Sequence, residues 1–240
     1  MKLFPAIILL FFSSILYAQP EKSAPNLIWY DDRPLNFGFL IGINTMDYRV
    51  VHKQEIEAGV PRRYADVINL SPGINLGMVT NFRINRYFNL RLLPGFSMGG
   101  RDLMFSNGAD TIVYEIINQY KNVEFNAFFL EFPVSIKFNG ARMINAKPYF
   151  SAGFNIRYDV MGNNPKFGIL LNRFDIYWEI GAGIDSYLTY FRLSTEFKIS
   201  IGTFNVLNPK GTDDKFEDLY YTNPLEKLYS RIFVLTFYFE

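Results

Sequence analysis

Eleven charged residues stand on the polar face of segments whose other face is aromatic or aliphatic. The cations are Arg83, Arg91, Lys137, Arg157, Arg192 and Lys198; the acids are Glu131, Asp159, Glu179, Asp185 and Glu196. Acids and bases this close to parity can do one of two things. They can relay protons or ions along a path, or they can neutralise one another in a hydrogen-bonded network. Unpaired charge in low dielectric is very costly, so pairing is the stronger reading.

Other candidates for chemistry are weaker. The single histidine, His52, falls in a stretch read as a long loop, with no adjacent Ser or Asp to suggest a triad. It is the one residue on which a lipid-modifying enzyme reading would rest. Gly181-Ala182-Gly183 has a fragment of a dinucleotide-loop spacing, but it lies within a strand pattern and no helix follows. Asp213, Asp214, Glu217 and Asp218 lack the spacing of a calcium loop. There is no cysteine, which excludes disulfides, thiol catalysis and lipid attachment at a thiol. A formal net charge of +1 argues against a nucleic-acid footprint. No cofactor, metal or small-molecule substrate is expected.

The elements that carry the charges are strands. From Asn126 to Phe138, one parity holds Phe128, Leu130, Phe132, Val134, Ile136 and Phe138, and the other holds Ala127, Phe129, Glu131, Ser135 and Lys137. Asn139-Gly140 is a tight-turn signal. A second arm then alternates Phe150, Ala152, Phe154, Ile156 and Tyr158 with Ser151, Gly153, Asn155, Arg157 and Asp159. Each arm has the length of about 9–11 residues with which a tilted strand crosses a bilayer. Glycine on the polar face suits a narrow interior, where it leaves room for a long Arg or Glu. The aromatic face is therefore assigned to lipid, which also accounts for the 18% aromatic content.

The same pattern predicts eight strands: Asn36–Met46, Gly73–Ile84, Phe88–Gly99, the two arms ending near Phe138 and Val160, Asp175–Tyr187, Phe191–Ile201 and Tyr229–Phe239. Their connections alternate long and short. The expected fold is all-β, an eight-stranded antiparallel up-and-down transmembrane β-barrel with a charged, plugged lumen. A soluble barrel with a ligand cavity is the rival. Tyr87, Tyr187, Tyr190 and Tyr229 are read as an interfacial girdle beside the short turns. Pro94 and Pro133 fall inside predicted strands and call for bulges; Pro148 suits a strand start.

Residues 1–18 read as a secretory signal, with Lys2, an apolar run from Leu3 to Leu16, and a cut at Ala18-Gln19. Residues 19–35 read as a periplasmic segment lying extended below the barrel, and 36–240 as the barrel. The expected location is the outer membrane, in contact with its lipid, with short turns in the periplasm and long loops outside.

The run from Trp29-Tyr30-Asp31-Asp32-Arg33-Pro34 through Gly42-Ile43-Asn44-Thr45-Met46-Asp47-Tyr48 resembles the start of the PorT family, also called SprT, of the type IX secretion and gliding machinery of Bacteroidetes. The resemblance continues over the Phe-rich strands to Phe237-Tyr238-Phe239-Glu240. It implies a non-enzymatic outer-membrane component of protein secretion that works through protein partners, with no catalytic residues. A general small barrel with a structural or adhesive role is the alternative. Exposed loop tyrosines such as Tyr220, Tyr221 and Tyr229 are candidate contacts.

Overall fold

The computed structural model describes residues 24–52, 63–66, 72–107, 121–161, 170–208 and 225–240. Its sheet is a closed ring. The walls, in chain order, are β1 (Leu35–His52), β3 (Pro72–Arg83), β4 with β5 (Phe88–Leu92 and Gly95–Asn107), β6 (Lys121–Asn139), β7 (Ala146–Asp159), β9 (Phe174–Tyr187), β10 (Arg192–Gly202) and β12 (Leu225–Phe239). All pairings are antiparallel, and β1 closes the ring by pairing with both β3 and β12. Eight walls therefore form, since β4 and β5 continue one another. Short β2 (Arg63–Asp66) extends the edge of β5, while β8 (Leu170–Leu171) and β11 (Leu207–Asn208) pair as a small separate sheet.

The stagger of the ring can be followed through its register. Met46 pairs with Ile232, then Ser200, Glu179, Gly153, Ser135, Arg91, Asn81 and finally Asn36, back on β1. The circuit leaves at position 46 and returns at 36, a shear of ten residues. With eight strands and ordinary strand spacings, that shear tilts the strands by about 40°.

The two faces have opposite chemistry, in the sense a membrane demands. Phe37, Phe150 and Met78 are 68%, 67% and 69% exposed on the outer wall, whereas Arg91 and Lys137 are fully enclosed. Along β1 the outer face runs from Leu35 through Phe37, Phe39, Ile41 and Ile43 to Thr45, and then reaches Asp47, which is paired with Arg231 directly opposite on β12. Ten steps at this tilt give a band about 25 Å tall, the height of the apolar belt of an outer-membrane barrel. Rings stack along it, with Phe39 and Phe239 4.8 Å apart between centroids.

Several expectations change. β1 runs to His52, so this histidine ends a strand and is not in a loop; β5 likewise runs to Asn107. β7 starts at Ala146, so Pro148 lies two residues inside the strand, and the turn at Asn139-Gly140 widens to residues 140–145. No bulge accompanies Pro94 or Pro133. The register with β3 and β6 is unbroken across Leu93-Pro94, and each proline keeps its accepting half of the ladder: Met78 N–H donates to the Pro94 carbonyl at 2.8 Å and Leu93 N–H to that of Pro133 at 3.0 Å. Two missing donors are the whole disturbance. Tyr87 and Tyr190 are exposed beside the short turns, as a girdle requires, but Tyr187 points into the lumen, and Tyr229 pairs with Arg49 near the loop end. The signal, the acidic run at 213–218, and Tyr220 and Tyr221 lie outside the described residues.

Candidate functional site: the lumen and its turn-end mouth

The lumen is layered. Toward the loop end it is apolar, packed by Met46, Ala127, Phe129, Tyr177, Ile232 and Val234; a second apolar cluster joins Leu40, Val79, Leu93 and Tyr238. The polar parity thus carries hydrophobic plugs as well as charges. Glycines make space for them: a Cβ on Gly183 would come within 2.6 Å of the Tyr149 ring, whose face receives Lys137 Nζ at 3.8 Å.

Two ionic clusters fill the rest. In the middle, Arg157 lies between Glu131 at 3.2 Å and Glu179 at 3.5 Å, and Lys198 reaches Glu179 at 2.9 Å. Asn155 and Ser200 also donate to Glu179, each at 2.9 Å, and Arg157 stacks 4.5 Å from the Tyr177 ring. Nearer the turns, Lys137 contacts Asp185 at 2.6 Å, Asp185 faces Arg192 at 3.7 Å, and Ser194 donates to Asp185 at 2.6 Å. Arg91 lies 3.6 Å from Glu196 and 3.1 Å from Glu240, and Arg192 contacts Glu240 at 2.6 Å. Each cluster balances: Arg157 and Lys198 against Glu131 and Glu179; Lys137, Arg91 and Arg192 against Asp185, Glu196 and Glu240. Burying charge without this pairing would be prohibitive.

Nine of the eleven charged residues singled out from sequence meet in these clusters; Arg83 and Asp159 do not. Arg83 is at the turn-end mouth, paired with Asp32 at 2.9 Å, and Asp159 lies at the loop end of β7, accepting from Met161 N–H at 3.1 Å. Glu240 joins the second cluster without standing among those eleven: one place beyond outward Phe239, it continues the inward parity of β12. Its side chain is fully enclosed, and its backbone exchanges two hydrogen bonds with Arg192.

The segment before β1 does not hang free. Tyr30–Asp32 form one 3₁₀ turn that docks against the short turns, burying Tyr30. Asn26 N–H donates to the Asn145 side chain at 2.7 Å, and Arg142 bonds the Asn26 carbonyl. Asp31 is the hub. It accepts from the Tyr187 hydroxyl at 2.7 Å and pairs with both Arg142 and Lys147 at 3.3 Å. Burial by itself would raise the Asp31 carboxyl. The Tyr187 hydrogen bond and the Lys147 ammonium outweigh it and hold the carboxyl below its ordinary value.

A group with a depressed folded pKa stabilises the docked form above its unfolded pKa, about 3.9 for Asp, and that contribution is lost as pH falls through the lower folded value. The protection of the Asp32 and Arg33 amides, whose N–H groups bond within the turn, taken as the exchange rate relative to the intrinsic rate at each pH, is therefore expected to hold from neutral pH to about 4 and to fall below it. In Asp31→Asn this acid step should vanish; its persistence would move the effect elsewhere.

Residues 17–208 match the family model described as an outer membrane protein beta-barrel domain. The chain belongs to that family. The match spans most of the sequence and agrees with the closed ring and its lipid-facing belt, which make the protein a small outer-membrane β-barrel. No curated protein matches the sequence. Among solved structures, the crystal structure of Neisserial surface protein A is 9% identical, with a TM-score of 0.42, and covers 86% of this chain and 99% of its own. OprG from Pseudomonas aeruginosa is 12% identical, with a TM-score of 0.45 and coverages of 85% and 94%. Ail, the attachment invasion locus protein of Yersinia pestis, is 11% identical, with a TM-score of 0.35 and coverages of 85% and 96%.

Proposed function

We propose that this barrel is a non-enzymatic component of type IX protein secretion that acts through protein contacts. The observation that carries the reading is the run from Trp29 to Tyr48, whose residues resemble the start of the PorT family. The packed lumen supports it. An interior occupied by paired side chains and apolar plugs leaves outward surfaces as the working parts. In this reading residues 1–18 direct export, the turn end and the docked segment from Asn26 to Arg33 face the periplasm, and the loops face outside. The charged clusters serve, in the same reading, to hold the wall together.

Deleting the gene in its host is expected to strand type IX substrates inside the cell, measured as loss of secreted protein from the medium while other outer-membrane proteins assemble normally. Normal secretion would overturn the reading. The structural or adhesive alternative draws on the small sheet of β8 and β11, which joins two loops into one outward surface. It predicts intact secretion with altered surface attachment.

A further inference from the structure

Between the docked segment and the turns lies a cavity of about 580 Å³, open to the turn side. Six cationic side chains line it, Arg33, Arg83, Arg86, Arg142, Lys147 and Arg192, against two carboxylates, Asp31 and Asp32. The pairings do not cancel this excess. Asp32 answers Arg83, and Asp31 is divided between Arg142 and Lys147. Arg192 is already matched inside the lumen by Glu240 and Asp185. Arg33 and Arg86 are exposed, and among the described residues neither has an acidic partner. About three positive charges are left over.

The cationic groups are also held in place. Arg33 and Arg192 both stack on the Tyr30 ring, at 5.7 and 4.7 Å, and Arg142 lies 3.7 Å over the Tyr187 ring. Guanidinium groups fixed on aromatic faces are pre-organised to meet a planar or tetrahedral oxyanion. At the floor, Arg192 is 2% exposed and its Nε has no hydrogen-bond partner; the hydroxyl of buried Tyr30 has none either. Buried donors without acceptors are costly. Others, such as Arg91 Nε and the Tyr149 hydroxyl, lie deeper in the lumen, and these two belong to the mouth: Arg192 and Tyr30 both line this cavity.

We propose that the turn-end mouth is a binding site for an oxyanion group carrying two or more negative charges, carboxylate or phosphate. Arg33 and Arg86 would supply the outer contacts, and Arg142 with Lys147 the shared inner one. The inference stands on the cavity and its charge, independently of any role in secretion.

The test uses the full chain purified in neutral detergent, titrated calorimetrically with inorganic pyrophosphate in one arm and a tetra-aspartate peptide in the other. Saturable binding of either probe is expected, weakening by about tenfold or more as salt rises from about 0.05 to 0.5 M. Pyrophosphate alone would assign phosphate; the peptide alone would assign carboxylates. The double substitution Arg33→Gln, Arg86→Gln removes side chains outside the barrel packing and is expected to weaken binding about tenfold or more. Arg49→Gln, at the loop end, should leave it unchanged. Absence of saturable binding to both probes, or equal affinity in the Arg33→Gln, Arg86→Gln protein, overturns the proposal.

Discussion

Asp185→Asn is expected to destabilise the barrel by about 3–5 kcal/mol, the usual result of breaking a buried ion pair from one side. Asp185 is fully enclosed and accepts from Lys137 and Ser194 while facing Arg192. An amide there keeps one oxygen for Lys137 to donate to but removes the charge, leaving the ammonium buried against an amide and the Tyr149 ring with no carboxylate in contact. Arg192 keeps Glu240, so the damage should centre on Lys137. This gives the test its internal control. Lys137→Met combined with Asp185→Leu removes both charges and should recover most of the loss, because replacing a buried pair by apolar residues is often neutral. Urea unfolding in lipid vesicles, followed by tryptophan fluorescence, reads both effects. A single-variant loss below about 1 kcal/mol, the range of solvated pairs, would mean the cluster is wet.

The second large effect is on the opposite face. Ile180 is 59% exposed at the middle of β9, with Ile199 and Ala152 beside it in register. Arginine at the bilayer midplane of such a barrel costs about 2–4 kcal/mol, falling toward zero near the interfaces. Ile180→Arg is therefore expected to lose that amount in vesicles, whereas arginine at Thr45, beside the Asp47–Arg231 pair that ends the belt, should lose much less. Trp178, two residues away on the same face and 63% exposed, supplies an independent check: brominated acyl chains should quench it. Equal costs at Ile180 and Thr45, with no quenching, would place the phenylalanines somewhere other than in lipid.

The two effects are complementary. A soluble protein loses stability when its apolar centre is charged and tolerates charge outside. Here the ionic residues are enclosed, and the wall faces hydrocarbon. The same inversion explains how Pro94 and Pro133 are tolerated. Each surrenders one ladder donor but keeps its carbonyl bonded, so the ring stays in register and the neighbouring walls carry the load.

What the sequence determined by itself was parity. Alternation with a period of two assigned Phe132, Ile180 and Phe197 to one face and Glu131, Glu179 and Lys198 to the other, because successive side chains in a strand must point opposite ways. The alternating long and short connections then fixed the up-and-down order of eight walls. Tertiary structure alone decided which inward residues meet. Lys137 and Asp185 come from β6 and β9, with β7 between them, and they touch only because a shear of ten carries their positions to one level of the lumen. That stagger is the sum of eight pairings round the ring, and no local stretch of sequence contains it. The same holds for Glu240, which meets Arg91 and Arg192 from the far end of the chain, and for Asp31, which settles on side chains more than a hundred residues away. Local chemistry chose the face; closure of the ring chose the partner.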